Sequence, residues 1–121
     1  MVTVRSAKSK GSAFEMDVEE SLQQKFPDLY RTKERGYIKQ YDHVSKESEF
    51  VVECKRLKGI SWNQLVKFHE KLMKVAPPNY TGYLIFKSNF QPCLVFEGSR
   101  IETFEEVFGV DFIKHKSTRE Q

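Results

Sequence analysis

The sequence predicts an α/β domain: a small mixed β-sheet flanked by helices. Three observations predict it. Ten Phe, five Tyr and one Trp among 121 residues, with 39% hydrophobic residues overall, can fill a core and exclude global disorder. Apolar residues recur at helical spacing in two long stretches that start on capping residues and stop at proline. Short runs of β-branched and aromatic residues lie between and after them, bounded by turn residues.

The elements follow in order. Ser12–Lys25 reads as a helix, with Phe14, Val18, Leu22 and Phe26 on one face, a capping-box pattern at Ser12-Ala13-Phe14-Glu15 and Pro27 beyond its end. Leu29–Thr32 and Tyr37–Val44 have strand character around Gly36, and Glu49–Lys55 is the clearest strand. Ser61–Val75 reads as a second helix with Leu65, Phe68, Leu72 and either Val75 or Ala76 inward, closed by Pro77-Pro78. Tyr83–Phe86 and Cys93–Phe96 read as short apolar strands. Thr103–Phe108 reads as a final helix with a T-x-x-E start and Gly109 at its end. The expected order is α-β-β-β-α-β-β-α. It forms one domain over residues 1–121, with 1–10 as a basic flexible arm and 114–121 as a loose C-terminal tail.

Composition removes several function classes. No apolar run approaches the ~20 residues of a membrane span, and no apolar stretch follows the basic start as in a secretory signal. Cys54 and Cys93 sit in apolar segments and suit a reducing cytoplasm. His43, His69 and His115 are scattered without zinc-ligand spacing. Net charge is only +3, but it is divided into districts. Basic residues gather at Arg5, Lys8 and Lys10, at Arg31, Lys33 and Arg35, at Lys55, Arg56 and Lys58, and at Lys67, Lys71 and Lys74; acids gather at 15–20 and 102–106. For any one cluster, a solvated face is the ordinary explanation.

The chemistry concentrates in Tyr41-Asp42 and Val51-Val52-Glu53-Cys54-Lys55. Alternation along a strand sends Phe50, Val52 and Cys54 to one face and Val51, Glu53 and Lys55 to the other. A hairpin turning at Glu47-Ser48 or over Lys46–Glu49 sets Asp42 opposite Glu53, with Cβ atoms about 5 Å apart. Two such carboxylates repel unless they share a proton or a divalent cation, and oxygen ligands favour Mg²⁺ or Mn²⁺. Lys55, one pleat away, could orient or deprotonate a water on that metal. Asp28, in Phe26-Pro27-Asp28, follows a helix directly and cannot face Glu53 in a tight hairpin.

An Asp, a gap of about ten residues and then Glu-x-Lys on an apolar strand resembles the PD-(D/E)XK nuclease superfamily. Lys10-Gly11-Ser12-Ala13-Phe14-Glu15 narrows the resemblance to archaeal-type Holliday junction resolvases, over roughly residues 8–96. The resemblance implies a restriction-endonuclease-like fold, Glu15, Asp42, Glu53 and the Cys54 backbone carbonyl as metal ligands, and Lys55 as the water-activating lysine. Gln64 and Thr32 fall where related nucleases carry supporting polar residues. Arg5, Lys8, Lys10, Arg31, Lys33, Arg35, Arg56 and Lys58 would meet DNA phosphates. Tyr41 stands where the pattern often has Pro, and Arg56 where small hydroxyl residues are common.

Each residue also has a plainer role. Glu15 is the N3 residue of a capping box, Gln64 is the N3 residue of Ser61-Trp62-Asn63-Gln64, and Glu53 with Lys55 could be a surface pair. The expectation is a Mg²⁺-dependent endonuclease, cytoplasmic and without membrane contact, resolving four-way DNA junctions as a homodimer by paired nicks. Tyr83–Phe86, Phe90 and Cys93–Phe96 are the candidate dimer surface, against a well-filled core. The alternatives are another nuclease of the same superfamily and a non-catalytic DNA-binding protein.

Overall fold

The computed structural model describes residues 2–32, 41–88 and 90–114, with residues 2–12 described by their backbone alone. Helix α1 (Val2–Gln23) leads into strands β1 (Tyr30–Arg31), β2 (His43–Ser45) and β3 (Phe50–Arg56). Helix α2 (Trp62–Val75) then leads to β4 (Thr81–Lys87), β5 (Leu94–Phe96), β6 (Ile101–Thr103) and helix α3 (Phe104–Phe108). The strands form one sheet in the order β1-β2-β3-β4-β5-β6. All neighbours are antiparallel except β3 and β4, a parallel pair whose connection is α2. The result is the expected mixed α/β sheet with one strand more than expected, since β6 pairs along β5 from Leu94↔Thr103 to Phe96↔Ile101.

Strand alternation divides the core. Phe50, Val52 and Cys54 face α1 and α3, where Phe14, Val18 and Leu22 supply the helix stripe. Phe104 and Phe108 close that layer, and the rings of Phe26, Phe50, Tyr83 and Phe108 meet edge to face. On the opposite face Leu65 of α2 packs with Leu84, Phe86 and Phe96, while Leu72 packs with Val44 and Val51. Each such fully buried side chain contributes about 1.5–3 kcal/mol of transfer free energy. Gly82 allows α2 to sit close: a Cβ there would overlap Met73 Sδ and press on Leu72.

Several expectations change. The first helix begins at Val2, so Ser12 lies inside it and the capping box at Ser12–Glu15 marks no terminus. The backbone of residues 2–10, expected as a loose arm, belongs to that helix. Leu84, Ile85, Phe86, Cys93, Val95 and Phe96 are buried in the core, so the proposed dimer strands are occupied within the chain. Phe90 alone of that group is fully exposed. The later helices end as expected. Ser61 and Gln64 close a capping box on α2, Thr103 and Glu106 do so on α3, and Gly109 terminates α3 at φ 74°. Asp28 organises the β2–β3 turn, accepting from the Ser45 hydroxyl at 2.9 Å and from Glu47 N–H at 3.0 Å. Among the described residues no helix is long and apolar enough to cross a membrane.

Candidate functional site

β3 is longer than the neighbour it pairs with on the β2 side. The β2 ladder covers Phe50–Val52 and ends at His43↔Val52, while Glu53–Arg56 continue beside β4. This is the register expected from the sequence, and Asp42 is next in line to face Glu53. Asp42 does not simply extend the ladder there. Its N–H donates to Val52 O at 2.8 Å, and its carboxylate Oδ2 accepts the Cys54 N–H at 2.7 Å. Asp42 is 3% exposed, and a carboxylate so buried needs donors of this kind. Thr32 steadies the approach: its N–H donates to Asp42 O at 3.0 Å and its hydroxyl donates to Tyr41 O.

Glu53 and Lys55 leave the same face of β3, as alternation requires. Lys55 Nζ lies 3.5 Å from Glu53 Oε2 and 4.6 Å from the centre of the Phe68 ring on α2. With Phe68, Lys71, Leu72 and Val75 the pair lines a half-open cleft of about 230 Å³. Typical small-molecule pockets start near ~300 Å³, so this cleft fits a small group of a larger ligand. Its two sheet residues belong to the C-terminal half of β3, beyond the last residue paired with β2.

Cys54 reports on the other face. Burial pushes its thiol well above the ordinary range, and the carboxylates of Asp42, Glu15 and Glu53 raise it further. Asp42 and Glu15 thus lie near enough to the Cys54 thiol to act on it, along with its chain neighbour Glu53. His43 faces away from the cleft, as its parity predicts. Its Nε2 lies 3.0 Å from Glu15 O, and since a carbonyl only accepts, Nε2 carries the proton and donates. Nδ1 is left to face Cys54 Sγ at 3.7 Å, which suits a thiol that stays protonated.

No family model matches the chain, and no curated protein or solved structure matches it. The functional reading accordingly rests on the residues of this end of the sheet.

The oxygen donors of Asp42, Glu53 and the Cys54 carbonyl are chemically suited to a hard divalent cation. Among the described residues no three His, Cys, Asp or Glu side chains are grouped closely enough to hold a metal ion. Mg²⁺ commonly takes one or two carboxylates and completes its shell with water and substrate phosphate, so Asp42 and Glu53 suffice in number and in donor type. Glu15 belongs to the wider acidic surroundings.

The remaining expected residues separate. Arg31 is buried, with Nε 3.4 Å from Glu19 Oε1, because a guanidinium taken out of water needs an anionic partner. Its side chain is turned into the fold. Gln64 is exposed and its Oε1 accepts the Ser61 N–H at 3.1 Å, which is the capping role. Lys58 is exposed beyond β3 and Arg56 is partly buried. Lys33 and Arg35 lie outside the described residues, as do the side chains of Arg5, Lys8 and Lys10. The sequence places Phe68 on the inward face of α2 and Lys71 in a basic stripe whose default explanation is solvation and whose lesser alternative is DNA contact. It assigns neither to the site; their i, i+3 spacing, one turn along α2, is the available signal.

Proposed function

We propose that this protein is a divalent-metal-dependent endonuclease acting on branched DNA, with four-way junctions as the preferred substrate. The observation that carries the reading is the set Asp42, Glu53 and Lys55: a buried carboxylate pinned to Cys54 N–H beside an acid–lysine pair on one strand face. A parallel β3–β4 pair crossed by α2, after a three-stranded antiparallel meander, supports the restriction-endonuclease-like architecture. Asp42, Glu53 and the Cys54 carbonyl would hold Mg²⁺ or Mn²⁺, which supplies Lewis acidity toward a phosphodiester oxygen. Lys55 orients the attacking water and stabilises charge developing on the phosphate, while Glu53 keeps the ammonium in place. Shape and backbone charge, more than base reading, would select the substrate. Two matched nicks call for a two-fold homodimer, since one chain carries one such set. DNA substrate and free cysteines together fit the cytoplasm.

The test is cleavage of a synthetic four-way junction beside linear duplex and single strand, with Mg²⁺ and with chelator. Junction nicking that stops in chelator is the expected result. Equal nicking of linear duplex points to another nuclease of the superfamily. A second reading, a non-catalytic DNA-binding protein, draws on the 3.5 Å Glu53–Lys55 ion pair, which is also what a structural pair looks like. Binding without cleavage in either metal would establish it.

A further inference from the structure

Lys71 stands in the cleft without a task in the chemistry above. The Glu53–Lys55 pair is close to neutral as a unit, so the ammonium of Lys71 supplies the remaining charge of the lining. Helix geometry gives it no acidic neighbour: positions three and four residues away are Lys67, Phe68, Lys74 and Val75. Among the described residues it makes no ion pair with any other element. Instead Lys67 and Lys74 repel it along the same helix face, an arrangement that an approaching anion relieves. The wall behind it is apolar, formed by Phe68, Leu72 and Val75, and such a wall strengthens an ionic contact relative to one in open water. Lys55 is held on the facing strand by Glu53 and the Phe68 ring, so two ammonium groups border one small cleft.

We infer that Lys71 is a phosphate-binding residue of this cleft, holding a backbone phosphate of the DNA strand beside the one that Lys55 serves. This rests on the nuclease reading and assigns α2 a part in strand binding. A phosphate contact acts on ground state and transition state alike, so it governs affinity and leaves the chemical step nearly unchanged.

The experiment measures junction affinity against salt concentration in chelator, and single-turnover cleavage at saturating enzyme in Mg²⁺. It compares the wild type with Lys71→Gln, Lys71→Arg and Lys46→Gln, the last removing an exposed charge in the β2–β3 turn. Lys71→Gln is expected to weaken binding at least about threefold, to lower the log–log salt slope by about one unit, and to keep the saturated cleavage rate within about threefold. Lys71→Arg retains the slope, and Lys46→Gln matches the wild type. A slope for Lys71→Gln equal to the wild type, in a protein that cleaves junctions, overturns the phosphate site alone. A reduced slope in a protein that cleaves no DNA overturns the nuclease reading and leaves the phosphate site standing.

Discussion

Asp42 Oδ2 accepts the Cys54 N–H at 2.7 Å, so a side chain takes over where the β2 ladder leaves β3. The carboxylate thus has a structural partner before any metal or substrate arrives. A residue with two tasks calls for two substitutions that separate them.

Asp42→Asn keeps an oxygen that can accept from Cys54 and removes the negative charge. It is expected to fold with little loss and to abolish cleavage while DNA binding persists. Asp42→Ala strands the Cys54 N–H in a buried setting, at a cost of about 1–3 kcal/mol. Thermal unfolding followed by circular dichroism should show Asp42→Ala melting at least about 4 °C below Asp42→Asn. Equal melting temperatures would mean the hydrogen bond contributes nothing to stability.

The two thiols give a pH prediction. Burial raises both Cys54 and Cys93 above the ordinary thiol range, with Asp42 the next cause at Cys54 and Glu105 at Cys93. In the unfolded chain these thiols ionise near pH ~8.5; in the folded chain they stay protonated to higher pH. Above the unfolded value the native state therefore binds more protons, and stability falls as pH rises. Below that value the contribution is fully present. Each thiol adds a slope of up to about 1.4 kcal/mol per pH unit. Urea unfolding at pH 7.5, 9 and 10 should show a steeper decline in the wild type than in a Cys54→Ala/Cys93→Ala double variant. Parallel declines would remove the thiols as the cause.

Gln64 can be assigned by comparing it with its capping partner. Ser61 Oγ accepts Gln64 N–H at 3.3 Å and Gln64 Oε1 accepts Ser61 N–H at 3.1 Å. Ser61→Ala is expected to cost about 1 kcal/mol, and Gln64→Ala less, with neither altering single-turnover cleavage once the protein is folded. A cleavage rate that falls more than tenfold in Gln64→Ala, with its melting temperature preserved, would return Gln64 to the site.

The sequence reading succeeded where a local signal and its structural cause coincide. The β2–β3 register was legible because alternation and a four-residue turn leave one pairing that buries Phe50 and Val52 together. The helix ends at Ser61, Thr103 and Gly109 were legible because capping chemistry is local. The start of α1 was not, because Val2, Thr3, Val4 and Gly11 are poor helix formers and Ser12-x-x-Glu15 imitates a terminus. β6 is a three-residue edge strand with Ile101 exposed, too short to show a period of two. In the site, Asp42, Glu53 and Lys55 could be aligned from parity alone. The inward turn of Arg31 toward Glu19 and the meeting of Lys55 with Phe68 depend on how α1 and α2 pack on the sheet. No spacing along the chain encodes that packing.

Lys55 carries the decisive functional prediction. Its side chain is 32% exposed and that of Glu53 23%, so their ion pair is partly screened and worth less than about 1 kcal/mol to the fold. Lys55→Ala should therefore fold nearly as well as the wild type. If the ammonium orients water and stabilises developing charge, its loss acts in the transition state, and the single-turnover rate should fall by about 10²-fold or more. Junction affinity measured in chelator should change less than about threefold, because the work assigned to Lys55 is done in the transition state and not in holding the bound strand. Lys55→Arg restores the charge but not the compact ammonium that sits 3.5 Å from Glu53 and 4.6 Å from the Phe68 ring, so it should leave binding unchanged and recover the rate only in part. If affinity and rate fall together in Lys55→Ala, the lysine is a plain phosphate contact, and the Glu53–Lys55 pair loses its claim to catalysis.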